Sequence, residues 1–283
     1  MKREFYTVEF PDKNFRFHCG LSRYKSTHTD LHSHSRDIEI HYIIKGSGEY
    51  LIEDKIYNLK EGSILIVHRN ELHKMTQWNN LEQIGLYISP TIFDKYGELK
   101  DYVLENLIRC NPKYHHILQF KGDIQIQLDF LMKSILKEYS KKEASWKQSI
   151  ISEIIKFCIL IERFRSLGPS SPYAKTGKDI EDVLNYIGKN LTDVLSVGEI
   201  ADNVGLSPNY LSTKFKKNIG INIVDYITVK RINEAKKMLE SKSKEKVISI
   251  AFEVGFKELS HFNHTFKKHT GFTPSQYRQM AKS

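Results

Sequence analysis

The spacing of apolar positions divides the chain into stretches of different period. Over residues 5–89, short β-branched runs alternate with polar residues and are cut by glycine-containing segments. Ile38-Glu39-Ile40-His41-Tyr42-Ile43-Ile44 leads into Lys45-Gly46-Ser47-Gly48 and then Glu49-Tyr50-Leu51-Ile52. A period of two with turn signals every ten residues or so predicts an antiparallel sandwich or barrel. Over residues 91–164 the period becomes helical. Ile124, Leu128, Leu131, Ile135 and Leu136 form one stripe, and Ile150, Ile154, Ile155, Cys158, Ile159 and Ile161 form another. Two amphipathic helices joined by the polar stretch 140–145 fit this pattern, and they either cover the β region or pair with a second copy.

Residues 167–178 are rich in Gly, Pro, Ser and Lys and carry no apolar period, which predicts a linker. All of the chain beyond 179 is helical in pattern. The expected organisation is therefore an all-β domain over 1–90, a helical extension and possible dimer interface over 91–165, a linker over 166–178, and an all-α domain over 179–283.

The all-α region repeats itself. Ile200-Ala201-Asp202-Asn203-Val204-Gly205-Leu206 recurs as Ile250-Ala251-Phe252-Glu253-Val254-Gly255-Phe256. Leu211, Phe215-Lys216-Lys217, Gly220 and Tyr226 recur as Phe262, Phe266-Lys267-Lys268, Gly271 and Tyr277. Each unit reads as helix-turn-helix. Ser196-Val197-Gly198-Glu199 is a capping-box pattern, Gly205 suits a left-handed helix end, and Ser207-Pro208 opens a second helix. A longer helix begun by Asn222, with Ile223, Ile227, Arg231, Ile232, Ala235 and Leu239 on one stripe, would hold the units apart. A final helix opens at Thr273-Pro274.

The core pairs Leu211/Phe215 and Phe262/Phe266 fix the opposite faces of the two second helices. Ser207, Asn209, Tyr210, Ser212, Thr213, Lys216 and Lys217 lie on or beside the first, and Ser260, His261, Asn263, His264, Lys267 and Lys268 on the second. Polar, hydrogen-bonding side chains on such faces suit major-groove readout, and the lysines suit phosphates. Units a helical turn of DNA apart, about 34 Å, would enter successive major grooves.

Charge supports this reading. The chain of 283 residues carries a formal net charge of +9, and residues 180–283 hold 16 Lys/Arg against 11 Asp/Glu. A basic surplus favours polyanionic partners. Cys19, Cys110 and Cys158 lie far apart without metal-ligand spacing and read as thiols in a reducing compartment. With neither a signal peptide nor an apolar run of membrane-spanning length, the expectation is a cytoplasmic protein with no membrane partner.

Residues 180–283 resemble the DNA-binding domain of the AraC/XylS family of bacterial transcription regulators. The resemblance rests on Gly255-Phe256, Ser260, Phe262, Phe266-Lys267-Lys268, Gly271, Thr273-Pro274 and Tyr277-Arg278, on the first unit, and on Arg231-Ile232, Ala235 and Leu239 between them. It implies sequence-specific binding of double-stranded DNA, more often activation than repression, with RNA polymerase as partner and a homodimer as the working form. The family often places arginine where this chain has Thr213 and His264, so a bidentate arginine–guanine contact is absent at both positions.

His32-Ser33-His34 puts two imidazoles on one face of a strand. Glu39 follows, and His73 comes after the run Ile64-Leu65-Ile66-Val67. The order resembles the cupin motif, and it implies a cupin-like barrel that serves as the sensor. Three readings of these residues stand side by side. They form an effector site, with His41 added because it shares a face with Glu39, for a small polar molecule such as a carbohydrate. They hold a metal through His32, His34, Glu39 and His73, as in a metal-dependent cupin isomerase or dioxygenase. Or they are structural, in a domain that only dimerises. The first is favoured, with no catalytic residue and no cofactor assigned. Tyr42 and Trp78 are read as packing, and His28, His68, His115 and His116 as surface or packing residues.

Overall fold

The computed structural model describes residues 10–23, 30–34, 37–107, 116–166, 178–193, 195–242 and 245–282. Six strands form the first half: β1 (Phe17–Arg23), β2 (Ile38–Ile52), β3 (Lys55–Lys60), β4 (Ser63–Val67), β5 (His73–Ile88) and β6 (Ile117–Gln119). All pairings are antiparallel. The ladder runs β1-β5-β2-β4-β6, with β3 paired to the outer half of β2.

Two strands are much longer than the sequence pattern predicts. The Lys45-Gly46-Ser47-Gly48 segment, expected as a turn, lies inside β2, which continues through it with register shifts at Ile43/Lys45 and Lys45/Ser47. Gly46 has φ +84°, and a Cβ there would lie 2.3 Å from the Asn80 carbonyl oxygen. Glycine here makes a bulge against β5 rather than a reversal. The reversal comes later, at Glu53-Asp54, where Glu53 has φ +50°.

Both faces of the sheet are buried. Ile38, Ile40, Tyr42, Ile64, Ile66, Ile84, Leu86 and Ile88 pack on one face against α1 (Glu98–Leu107), α2 (Asp123–Lys141) and α3 (Trp146–Ser166). The other face carries Ile43, Tyr50, Leu65, Val67 and Met75 and forms a core with no helix among its members, as the interior of a barrel-like fold does. Glu39 and His41 alternate with Ile40 and Tyr42 and so point into that interior. The stretch expected to be wholly helical includes β6, which pairs with β4. Its three residues are too few to show a period of two. Tyr42 is packing, as expected, and its hydroxyl donates to Asp129 at 3.2 Å.

The α3 helix ends at Ser166 and α4 (Lys178–Lys189) begins the second half. Residues 167–177 of the expected linker lie outside the described residues. The helices α5 (Val197–Asn203) and α6 (Pro208–Ile219) form the first unit, and α8 (Val247–Glu253) and α9 (Leu259–Thr270) the second. Between them runs α7 (Ile223–Ser241), and α10 (Pro274–Lys282) closes the chain. Each unit has its own core, with Leu211, Phe215 and Tyr226 in the first and Phe262 and Phe266 in the second. The first core also takes in Leu51 and Ile56 of the β domain, so the two halves share apolar packing. Cys19 and Cys158 are buried thiols, while Cys110 is outside the described residues. No described helix is long and apolar enough to cross a membrane.

Candidate nucleic-acid interface and candidate ligand site

Local chemistry shapes both helix-turn-helix units. Ser196 and Glu199 cap α5 reciprocally, with Glu199 N–H donating to Ser196 Oγ at 3.1 Å and Ser196 N–H donating to Glu199 Oε2 at 2.9 Å. Ser207 caps α6, and Asn222 caps α7 by accepting from Asp225 N–H at 2.8 Å. Gly205 and Gly255 turn at φ +70° and +90°. At Gly255 the reason is close approach as well as φ. A Cβ would sit 2.9 Å from both Arg231 Nε and the Leu191 carbonyl oxygen. Arg231 donates to the Leu191 and Asp193 carbonyls at 3.0 and 2.6 Å, so this arginine ties the loop after α4 to the helix between the units.

The faces predicted to meet DNA are open. Ser207, Asn209, Tyr210, Ser212, Thr213, Lys216 and Lys217 are exposed beside a buried Leu211 and Phe215. Ser260, His261, Asn263, His264, Lys267 and Lys268 are exposed beside a buried Phe262 and Phe266. Thr213 Oγ1 donates back to the Asn209 carbonyl at 3.0 Å, which leaves its methyl group and oxygen lone pairs outward. Lys214, which follows Thr213 in sequence, is turned aside to Asp179 at 2.6 Å.

The histidines of the β domain come together as their spacing suggests. One donor atom from each of His32, His34, Glu39 and His73 lies within 4.8 Å of all the others. An isolated bridge pairs His32 with His73, and this carries the His32-Ser33-His34 strip alongside β5. His34 Nε2 and His73 Nε2 lie 3.3 and 2.9 Å from Glu39 Oε2, and His41 Nε2 lies 2.6 Å from Glu39 Oε1. His32 Nδ1 and His73 Nδ1 each donate to a backbone carbonyl at 2.8 Å, those of Asp30 and Glu71. Gln83 Nε2 meets His41 Nδ1 at 2.7 Å.

Glu39 is fully enclosed. Burial opposes its ionisation, but the nearby His41 and His73 imidazoles, then His34, hold its carboxyl well below the usual carboxylate range. Burial, with His73 beside it, pushes His32 down to about 3, so this ring is neutral at neutral pH. Sequence reasoning assigned no role to His68 and His116. The structure brings donor atoms of both within 4.8 Å of Glu71, whose carboxyl burial pushes up to about 7. The missing signal is a spacing of 48 residues that only the β4–β6 pairing closes. His28 and His115 lie outside the described residues.

The surface that sequence reasoning missed lies between the domains. Tyr226, Lys230, Asn233, Lys237 and Glu240 recur at intervals of three and four along α7 and face the β domain. Tyr226 donates its hydroxyl to the Glu53 carbonyl at 2.8 Å, and Lys230 pairs with Asp54 and with Glu53 at 3.6 Å. Asn233 Nδ2 donates to the Asn70 carbonyl at 2.7 Å, and Asn70 Nδ2 donates to Glu240 Oε2 at 2.8 Å. Lys230 and Asn233 are buried by this contact.

Comparison with known proteins gives matches in both halves. The AraC-like ligand binding domain matches residues 14–128, and a helix-turn-helix domain matches residues 200–280. The melibiose operon regulatory protein of Escherichia coli (strain K12) is 24% identical over 260 residues, covering 87% of this chain and 82% of that protein. The transcriptional activator RhaR of Escherichia coli O139:H28 is 21% identical over 266 residues, covering 87% and 86%. The regulator YfiF of Bacillus subtilis (strain 168) is 24% identical over 287 residues, covering 97% and 87%. A ligand-binding β domain placed ahead of paired helix-turn-helix units, with regulators as full-length relatives, is the AraC/XylS arrangement, and the chain belongs to this family of DNA-binding transcription regulators.

Proposed function

We propose that the protein is a cytoplasmic, effector-responsive activator of transcription and not an enzyme. Its β domain binds a small polar effector at the buried end that holds His32, His34, Glu39, His41 and His73. The observation that carries this reading is the seat of the β domain on α7, the helix that spaces the two DNA-reading units. Ser33 Oγ adds to this seat, donating to Asn233 Oδ1 at 2.6 Å and accepting from Lys236 Nζ at 2.7 Å. Anything that shifts the Glu53-Asp54 turn or the Ser33 and Asn70 contacts acts directly on that helix. An effector changes DNA binding only as far as it binds one arrangement more tightly than the other.

Carbohydrate is the effector class suggested by the name of the melibiose operon relative. Homodimerisation through α2 and α3 is supported by the groove between them, of about 610 Å³, where Phe130 is 72% and Ile126 56% exposed. Apolar exposure of this size on a helix pair favours self-association. RNA polymerase is the partner expected of an activator.

The test is selection of duplexes from a random pool by the full chain, followed by DNA-binding titrations with and without candidate monosaccharides and disaccharides at fixed salt. A bipartite site with halves about one helical turn apart, bound with an affinity that one sugar changes severalfold, is the expected result. Selection of no site would remove the regulator reading. Selection of a site indifferent to every small polar molecule tried would leave a regulator without an effector.

A further inference from the structure

The duplication of the helix-turn-helix units extends to a tyrosine that closes each one. Tyr226 and Tyr277 occupy the same place after Phe215 and Phe266. Each tyrosine ring meets its phenylalanine edge-to-face, with centroids 5.4 and 5.5 Å apart and planes at 70° and 79°. Phe215 and Phe266 lie on the buried sides of α6 and α9, whose opposite sides are the exposed polar faces. Both tyrosine hydroxyls are tied to the β domain. Tyr226 donates directly to the Glu53 carbonyl at 2.8 Å. Tyr277 donates to Glu240 Oε1 at 2.9 Å, and Glu240 Oε2 accepts from Asn70 Nδ2 at 2.8 Å. We propose that these two tyrosines are positioning residues through which the β domain sets α6 and α9 against DNA, with Asn70 as the joint of the α9 route. The proposal deepens the regulatory reading and rests on it only for the effector that would move Asn70.

Asn70 stands where the two sides meet. Its N–H donates at 2.7 Å to the carbonyl of His34, whose ring belongs to the Glu39 cluster. Its own carbonyl accepts from Asn233 Nδ2 at 2.7 Å, while its side chain serves Glu240. One residue therefore holds the strand that carries His34 and grips α7 at two points. Its φ of +62° lies in the left-handed region, which asparagine adopts more readily than most residues. The α6 route leaves from the same loop. Glu53 N–H donates to the Leu72 carbonyl at 2.7 Å, and Leu72 N–H returns to Glu53 Oε1 at 3.1 Å. A shift of residues 70–72 thus reaches both tyrosines. Close-packed rings have few alternative arrangements, so a displaced tyrosine carries its phenylalanine and the helix with it. The two routes differ in strength. The α6 route is one bond from a fully buried tyrosine to a backbone carbonyl. The α9 route runs through a bridging carboxylate and two side-chain bonds, and α9 is the helix that responds more.

The test uses the full chain with no effector present. Asn70→Gly removes the bond to Glu240 while keeping the φ and both backbone bonds. Tyr277→Phe removes the hydroxyl and keeps the ring. Each should speed amide exchange in α9 by about threefold or more and leave α6 unchanged, and Tyr226→Phe should do the reverse. On a selected bipartite duplex, Asn70→Gly and Tyr277→Phe should each weaken, by about threefold or more, the half-site whose sequence preference His264→Ala relaxes, because a helix held in place loses less freedom on binding. The double variant should be no weaker than either single one, since both cut the same route. Asn70→Asp, which sets a carboxylate against Glu240, should match Asn70→Gly. Unchanged exchange in α9, weakening spread evenly over both half-sites, or additive effects in the double variant would each overturn the route. No effector enters these measurements, so failure of the effector reading shows in the sugar titrations and failure of the route shows here.

Discussion

Tyr226 and Glu53 are joined by a 2.8 Å hydrogen bond from the tyrosine hydroxyl to the glutamate's backbone carbonyl. The first turn of the helix that spaces the DNA-reading units therefore rests on the tip of the sensor's β2–β3 hairpin. Leu51 and Ile56, either side of that tip, belong to the same apolar core as Leu211 and Phe215. The β domain thus contributes to the core of the first helix-turn-helix unit.

Removing the carboxylate at the hairpin tip should loosen this seat. Among the described residues, Asp54→Ala leaves the buried Lys230 ammonium with one carboxylate, that of Glu53 at 3.6 Å, beside the Tyr226 ring. Truncating one member of a buried charge pair costs about 2 kcal/mol or more. The expected outcome is faster hydrogen exchange along α7, with the β-domain strands unchanged.

Lys236 gives the seat a pH dependence of known sign. Burial pushes its ammonium down to about 8, against the pull of Glu240. Its pKa in the docked form lies below the usual lysine value, so the contribution is full above about pH 10.5 and is lost as pH falls towards 8. Below that it is flat. Denaturant titrations at intervals across this window should show stability rising with pH, and Lys236→Met should show a shallower rise. Equal slopes in the two proteins would contradict the assignment.

The two recognition helices should divide their labour. Lys216→Ala and Lys267→Ala should weaken binding to all duplexes alike and lower the salt slope by about 1 each. Asn209→Ala and His264→Ala should instead cost about 1–3 kcal/mol on the selected site and relax its sequence at particular positions. Anisotropy titrations over a range of salt, on selected and scrambled duplexes, separate the two patterns.

Two glycines with the same conformation should differ in what they tolerate. Gly205 turns at φ +70°, and a methyl group added there would meet nothing within 4 Å, so Gly205→Ala should cost about 1–2 kcal/mol from backbone strain alone. Gly255→Ala adds a clash with Arg231 and the Leu191 carbonyl and should cost clearly more. Thermal unfolding of the two variants gives the order.

The groove between α2 and α3 predicts the oligomer. Phe130→Asp should convert the proposed dimer to a monomer in sedimentation, with the β domain intact by circular dichroism. A variant that stays dimeric would place the interface elsewhere.

Much of this protein is written locally in its sequence. The 3.6-residue stripes of α2, α3 and α7, the caps at Ser196, Ser207 and Asn222, and the repeat that marks both helix-turn-helix units all follow from near neighbours. A buried Leu211 and Phe215 dictate where Asn209 and Thr213 point. The His-x-His spacing placed His32 and His34 on one face for the same reason. Other features depend on which distant segments meet. Gly46 reads equally as a turn or a bulge until β5 lies against it with the Asn80 carbonyl 2.3 Å from the missing Cβ. His68 and His116 share no local period, and strand pairing alone brings them to Glu71. On α7, Lys230, Asn233 and Lys236 form a polar face that reads as solvated, because charge in a sequence carries no mark of its partner. Only the folded structure sets Asp54, Asn70 and Ser33 against that face and turns it into the contact between sensor and DNA-binding domain.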